Sequence, residues 1–190
     1  MVEVLKRTLF GDPILRRQAR RLSAAEIAAP EIQNLIADMY HTLETKKYSV
    51  GLAAPQVGRP IALSVIWARP LKYRPDAKEE KFVIINPEIV ETYGRRTQKW
   101  EGCMSFGTSS RDFPYAKALR YSRVRVRFLD ETGKQHEKDF DGLLAHVLQH
   151  ETDHLNGILF VEHVRNPKTF VMKSEYVKHI LPAERKKKQR

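Results

Sequence analysis

Several features that would place this chain in a special class are missing from it. It has one cysteine among 190 residues, so no internal disulfide can form, and a reducing compartment is the simple expectation. No apolar run approaches the eighteen residues of a membrane-spanning helix, and residues 1–10 lack the apolar core of a secretory signal. We therefore expect no contact with a membrane and a place in the cytoplasm, or inside an organelle after removal of a targeting segment.

Positive charge is in excess. The chain has 34 Lys and Arg against 23 Asp and Glu, a formal net charge of +11. Residues 185–190 carry five positive charges and no acid. Such a tail suits contact with a polyanion such as ribosomal RNA, but a solvated terminus that keeps the protein in solution explains it equally well.

The length predicts a single domain with one core. Asp12 followed by Pro13 predicts a short helical turn. A capping box at Ser23 and Glu26 predicts the start of a helix over roughly residues 24–45. Apolar residues recur along it at helical spacing, and these predicted core residues are Ile32, Leu35, Ile36, Met39 and Leu43.

The rest of the pattern indicates strands followed by a central helix. Residues 61–67 and 82–85 are short β-rich runs, and residues 123–128 alternate strictly between arginine and apolar side chains before a return strand. A second, largely apolar helix is predicted from Asp141 to Gly157, and a last helix over roughly residues 167–180. This order predicts an α+β fold with an antiparallel or mixed sheet packed around the central helix.

That central helix carries an H-E-x-x-H motif. His150 and His154 lie one turn apart on the same face, so both imidazoles can reach one metal ion. Glu151 lies beside them and can accept a proton from a bound water. Two partly exposed histidines with a salt-bridging acid are the plain alternative, but polar side chains in an apolar helix need a common purpose.

A catalytic site of this kind needs a third protein ligand. The extended motif of metzincin proteases would place a histidine where this chain has Phe160. His146 is about 12 Å from His154 along the helix axis, too far for both to bind one ion. Cys103 is the remaining soft ligand, although a lone cysteine taken by itself is more often an inert buried thiol.

Three segments together resemble the signature motifs of peptide deformylases. They are Gly-Leu-Ala-Ala-Pro-Gln at 51–56, Glu-Gly-Cys-Met-Ser at 101–105 and Gln-His-Glu-Thr-Asp-His-Leu-Asn-Gly at 149–157. The similarity runs from about residue 5 to residue 165. It implies a catalytic part at 1–165, followed at 166–190 by a C-terminal helix and basic tail. The implied activity is removal of the formyl group from N-formylmethionine at the start of new polypeptides.

The resemblance also assigns roles to residues. It implies that Cys103, His150 and His154 bind one divalent ion, which is ferrous iron in the cell and replaceable by zinc, nickel or cobalt. Glu151 would transfer the proton during attack by water on the formyl group. The Gln56 side chain and the backbone N–H of Met104 would stabilise the oxyanion.

Substrate contacts follow from the same resemblance. Backbone groups of Val50 and Gly51 would pair with the peptide as a strand does. The pocket for the methionine side chain would be lined by Met104 and by residues of the central helix, namely Leu143, His146 and Val147.

The chain departs from the family pattern at several places. Ser49 replaces a usual glycine, Met104 replaces the common leucine, and the segment between Ser105 and Tyr121 is longer. Arg111 is expected to pair with Glu101. The longer segment leaves open an enzyme of another specificity, such as a metallopeptidase or a deacylase acting on a non-formyl substrate. The tail leaves open a catalytically idle protein bound to ribosomal RNA.

Overall fold

In the computed structural model, the backbone is described at residues 2–46, 49–70, 78–107 and 113–188, with side chains as far as residue 184. An antiparallel β-sheet is the framework. Its strands, in spatial order, are β1 (Gly51–Ala53), β2 (Leu63–Ala68), β3 (Glu80–Gly102), β4 (Pro114–Leu129) and β5 (Gln135–Asp141), and β6 (Val171–Met172) pairs with the beginning of β4. The predicted α+β class is confirmed, with antiparallel strand pairs throughout this sheet.

Strand β3 is much longer than the predicted run at 82–85. It continues past Pro87 because the register with β4 shifts between Ile85 and Glu88, so the missing N–H of proline costs no regular ladder bond. At its far end Gly102 lies opposite Tyr115 of β4. The two long strands therefore place Cys103, the residue that follows β3, in a buried position.

The predicted N-terminal helix is divided into α1 (Ala24–Ala28) and α2 (Pro30–Glu44). The single helix over 24–45 was wrong because Ala29 precedes a proline and takes an extended conformation, which ends α1. The capping box of Ser23 and Glu26 is present. All five predicted core residues of this region are buried, so its apolar face packs as expected.

Helix α3 (Gly142–Leu155) lies against the sheet and carries the H-E-x-x-H residues. Ala145 and Leu148 are fully buried in a cluster with apolar residues of β2, β3 and β4. The helix ends before Gly157, which has φ +72°. A side chain there would also meet the backbone of Arg16, 2.7 Å from its carbonyl carbon, so only glycine fits.

The C-terminal region differs from the predicted helix over 167–180. A 3₁₀ turn at Pro167–Thr169 is followed by β6, then by α4 (Lys173–Glu175), a π-helix (Tyr176–Ile180) and α5 (Leu181–Lys188). Val171 pairs with Tyr115, and this pairing with β4 overrides helix formation at that point. Throughout the described part of the chain, every helix is too short or too polar to cross a membrane.

Candidate active site

The three predicted metal ligands come together between helix α3 and the end of strand β3. His150 and His154 project from one face of α3, and Cys103 arrives from the end of β3. Their ligand atoms lie within 4.8 Å of one another. The Cys103 sulfur is 3.3 Å from Nε2 of His154, which is 3.2 Å from Nε2 of His150. One thiolate and two imidazole nitrogens are a donor set that suits zinc or ferrous iron, so these residues fit one divalent ion.

A buried carboxylate fixes the orientation of the first histidine. Nδ1 of His150 lies 2.6 Å from Oε1 of Glu101, so its proton is directed to the carboxylate and Nε2 is left to bind a metal. Burial alone would raise the pKa of Glu101, but hydrogen bonds from Arg120, His146 and His150 lower it well below the usual value. Burial lowers the pKa of His154, which favours the neutral imidazole that ligation requires.

Arg120 is the main partner of Glu101. It donates from Nε and from a terminal nitrogen to the two carboxylate oxygens, at 2.9 and 2.7 Å, and it also bonds Asp153. The expected partner, Arg111, lies outside the described residues. The sequence analysis did not identify Arg120 as the partner of Glu101, although the alternation along β4 could have indicated it. It shares the inward face of β4 with Ala116 and Ala118, and a buried arginine there requires an acid.

Glu151 occupies a confined position beside the candidate ligands. Its side chain is buried against the backbone of Gly51, and Oε2 has no hydrogen-bond partner among the described residues. Burial raises the pKa of Glu151 to about 7. A carboxyl group with a pKa near neutrality can both accept and return a proton, which is what a general base that later acts as an acid needs.

The side-chain amide of Gln56 directs its N–H groups toward the candidate ligand Cys103. Backbone N–H of Ala53 donates to Oε1 of Gln56 at 2.9 Å, so the amide orientation is fixed. Its Nε2 lies 3.3 Å from the Cys103 sulfur and 3.2 Å from the hydroxyl of Ser105. Met104 begins a 3₁₀ turn, and its N–H therefore has no acceptor within that turn. The Gln56 donor therefore lies beside the candidate ligand Cys103, and the N–H of Met104 belongs to the residue that follows this cysteine.

A cavity of about 280 Å³ opens in front of these groups. It is lined by all the residues predicted for substrate binding, namely Val50, Gly51, Met104, Leu143, His146 and Val147. His146 is not free in this pocket, because its Nε2 lies 2.6 Å from Oε2 of Glu101. It is therefore a second histidine held by the same buried carboxylate.

Strand β1 supplies an open edge to the cavity. It is the first strand of the sheet, and the carbonyl of Val50 accepts from the N–H of Trp67 on β2 at 2.7 Å. Backbone groups of successive residues point to alternate sides of a strand, so those of Gly51 face away from β2. The open edge of the sheet is therefore formed by the backbone groups of Gly51, since the Val50 carbonyl is already used inside the sheet.

Two departures from the family pattern meet at the rim of the cavity. The hydroxyl of Ser49 lies 2.8 Å from the sulfur of Met104. Serine in place of glycine and methionine in place of leucine are therefore in contact with each other, which the sequence alone did not indicate. The carbonyl of Met104 also accepts from Arg7 at 2.7 Å, which anchors this turn to the N-terminal segment.

Part of the cavity wall was not foreseen at all. It consists of residues on the π-helix and its neighbours, namely Lys173, Tyr176, Val177 and Leu181, together with Trp100 and Tyr115 of the long strands. No motif marks these positions. Their place depends on the pairing of β6 with β4, a tertiary contact that local sequence patterns do not reveal.

A buried helix with H-E-x-x-H, a cysteine as third candidate ligand and the amide of Gln56 beside it define a metal-dependent hydrolase. A sequence model of the polypeptide deformylase family matches residues 4–170. The peptide deformylase of Prochlorococcus marinus is 37% identical over 178 residues, which are 91% of this chain and 82% of that protein. The chain belongs to the polypeptide deformylase family.

Solved structures agree with this assignment. A class I type b peptide deformylase from Acinetobacter baumannii, with Met-Ala-Ser bound, is 35% identical and superposes with a TM-score of 0.79 over 86% of this chain and all of that one. A peptide deformylase from Legionella pneumophila is 34% identical, with a TM-score of 0.72 over 100% of this chain and 99% of its own. The shared fold therefore covers the catalytic elements described above.

Proposed function

We propose that this protein removes the formyl group from N-formylmethionine at the start of new polypeptides, with Cys103, His150 and His154 holding a divalent ion. The observation that carries this proposal is the convergence of these three donors with the buried carboxyl of Glu151 and the fixed amide of Gln56. Membership in the deformylase family supports the reaction. The Met-Ala-Ser bound to the Acinetobacter baumannii relative supports the kind of peptide.

The ion, when bound, supplies Lewis-acid polarisation of the formyl oxygen and lowers the pKa of a water molecule. Glu151 takes the proton of the attacking water, because its carboxyl has an unpartnered oxygen and burial raises its pKa to about 7. It then returns the proton to the amine that leaves. Donors from Gln56 and from the N–H of Met104 stabilise the negative charge that develops on the formyl oxygen.

The peptide lies along the open edge of β1. Gly51 offers its backbone N–H and C=O, as in other cases where an extended peptide adds to a sheet edge. The methionine side chain enters between Met104 and the α3 residues Leu143 and Val147, an apolar surface that suits a flexible thioether. His146 closes this pocket on the side of Glu101, with a contact that fixes its ring.

We propose ferrous iron as the ion in the cell, with zinc, nickel or cobalt able to take its place. One thiolate with two imidazoles is a borderline-soft set that all four ions accept. We also propose that the protein acts in the cytoplasm, or in an organelle, where new chains begin with formylmethionine.

The basic tail is proposed to contact ribosomal RNA. Residues 185–188 of the tail form the end of α5, which runs to Lys188. The other concentration of arginines, on the exposed face of β4, is already neutralised. Arg125 pairs with Asp139 at 3.0 Å, and Arg127 pairs with Glu137 at 2.9 Å. The tail is therefore the better surface for a polyanion.

Acyl selectivity tests the proposed reaction against the alternative of a different acyl substrate. The protein, purified without oxygen and loaded with iron or nickel, is assayed on formyl-Met-Ala-Ser and acetyl-Met-Ala-Ser. We expect rapid release of formate and little release of acetate. Faster hydrolysis of the acetyl peptide would contradict the proposal.

A further inference from the structure

The two residues proposed to stabilise the oxyanion lie on separate 3₁₀ turns. Gln56 belongs to Ala54–Val57, which we call the glutamine turn, and Met104 begins Met104–Phe106, which we call the methionine turn. The turns follow different strands and are far apart in the sequence. The distance between the two proposed donors therefore depends on contacts made outside each turn.

The N-terminal segment of the chain contacts both turns. We propose that residues Arg7–Phe10 act as a clamp that holds the glutamine turn and the methionine turn at a fixed distance, with Arg7 as the positioning residue for the oxyanion donors. This inference rests on the proposed function, which assigns both turns to the formyl oxygen.

Backbone hydrogen bonds tie the clamp to each turn. The N–H of Thr8 donates to the carbonyl of Gln56 at 2.7 Å, and the N–H of Phe10 donates to the carbonyl of Ser105 at 2.6 Å. Only Leu9 separates these two donors in the chain. The backbone of the clamp therefore sets the distance between the turns.

Arg7 supplies the side-chain contact of the clamp. Its guanidinium group donates from Nη1 to the carbonyl of Met104 at 2.7 Å, in a half-buried position. A hydrogen bond from a charged donor is roughly twice as strong as a neutral one. Because the carbonyl and the N–H of Met104 are attached to the same Cα, holding the carbonyl restrains the proposed donor.

The methionine turn depends on the clamp for most of its carbonyl bonds. Within the turn, the N–H of Phe106 donates to the carbonyl of Cys103 at 3.1 Å. The next two carbonyls, of Met104 and Ser105, are bonded by Arg7 and by the backbone of the clamp. Loss of the Arg7 donor would therefore leave the middle peptide group of the turn less restrained.

The two turns also contact each other. Nε2 of Gln56 donates to the hydroxyl of Ser105 at 3.2 Å. The ring of Phe10 stacks on that of Phe106, with centroids 4.3 Å apart. A shift of the methionine turn would thus also disturb the Gln56 amide, so Arg7 influences both proposed donors.

Arg7→Met tests the clamp, because it keeps the apolar stem of the side chain and removes the donor. Values of kcat and KM for formyl-Met-Ala-Ser are measured at full metal occupancy. We expect kcat to fall about tenfold with KM nearly unchanged, since displacing a donor costs less than removing one, which lowers kcat about 10²–10³-fold. Arg7→Lys should keep kcat within about threefold of the wild type, because a lysine can also donate to a single carbonyl.

Lys6→Met is the matched control, since it makes the same change of charge at the adjacent residue, which is exposed. It is expected to keep the wild-type kcat. If the N-terminal segment only stabilised the fold, Arg7→Met would unfold at a lower temperature but keep its kcat at full metal occupancy. That result, a rise in KM alone, or an equal loss in Lys6→Met would overturn the proposal.

Hydrogen exchange gives a readout that does not depend on the reaction. The backbone amides of residues 103–106 should exchange faster in Arg7→Met than in the wild type or in Lys6→Met, because the turn has lost one of its bonds. If metal-loaded wild-type protein releases no formate, the proposed function fails, and the clamp is then judged by this exchange alone. Unchanged exchange at residues 103–106 would overturn it.

Discussion

The backbone of Gly51 and the carboxyl group of Glu151 occupy adjoining space with no room for a side chain between them. A Cβ atom on Gly51 would lie 2.7 Å from Cδ and 2.8 Å from Cγ of Glu151. Real Cβ atoms do not approach other atoms so closely, so one of the two must move. The strand whose edge is proposed to bind the peptide therefore also fixes the position of the proposed general base.

Gly51→Ala is expected to displace Glu151 and lower kcat about a hundredfold or more, the usual contribution of a positioned general base. Metal content should remain near that of the wild type, because Glu151 is not a proposed ligand. Steady-state kinetics and metal analysis of the same sample measure both quantities. Wild-type kcat in this variant would show that the carboxyl position is not critical.

Glu151→Gln tests the base itself. The amide keeps the shape of the side chain but cannot accept the proton, so turnover should fall by about 10² to 10⁴. Thermal unfolding should occur no earlier than in the wild type, because burial raises the pKa of Glu151 and thus disfavours its charged form. Loss of the metal in this variant would mean that Glu151 is a ligand.

Glu101→Gln should weaken metal binding without touching a ligand. The carboxylate orients His150 and balances the buried charge of Arg120, so we expect about 10–100-fold lower metal affinity. Stability should fall by about 3–5 kcal/mol because a buried arginine loses its partner. Chelator competition and denaturant unfolding measure the two effects. Arg125→Gln, which breaks an exposed pair on the same sheet, is the control and should change little.

The local parts of this fold follow from local sequence. The capping box at Ser23 and the spacing of His150 and His154 predicted helices that the structure contains. The break before Pro30 was missed, although proline disfavours helix in the preceding residue. The passage of β3 through Pro87 depends on a register shift with β4, which is a property of the pairing and not of either strand alone.

The residues of the candidate site also fall into those that local sequence identifies and those that long-range strand pairing places. Short motifs identify Cys103 and the two α3 histidines as candidate ligands, but it is the pairing of β3 with β4 that brings the cysteine to the helix. Arg120 and the wall residue Tyr176 belong to no motif. Their positions depend on which strands pair over long separations in the chain, so only the folded structure places them at the cavity.

The basic tail gives a prediction on partners. Glutamine replaces its five charged residues, namely Arg185, Lys186, Lys187, Lys188 and Arg190. We expect weaker sedimentation with ribosomes and a smaller dependence on salt, because fewer phosphate counterions are released. Activity on formyl-Met-Ala-Ser should be retained. Unchanged ribosome binding across a range of salt would leave the tail with a role in solubility only.

The central claim is that Cys103 completes a metal site that deformylates N-formylmethionyl peptides. Its most direct test is formate release from formyl-Met-Ala-Ser, with metal content measured in the same samples, for wild-type protein and Cys103→Ala. We expect rapid release by wild-type protein that holds about one ion, and loss of both the ion and the activity in the variant. Full metal occupancy of the wild type without formate release would contradict the account.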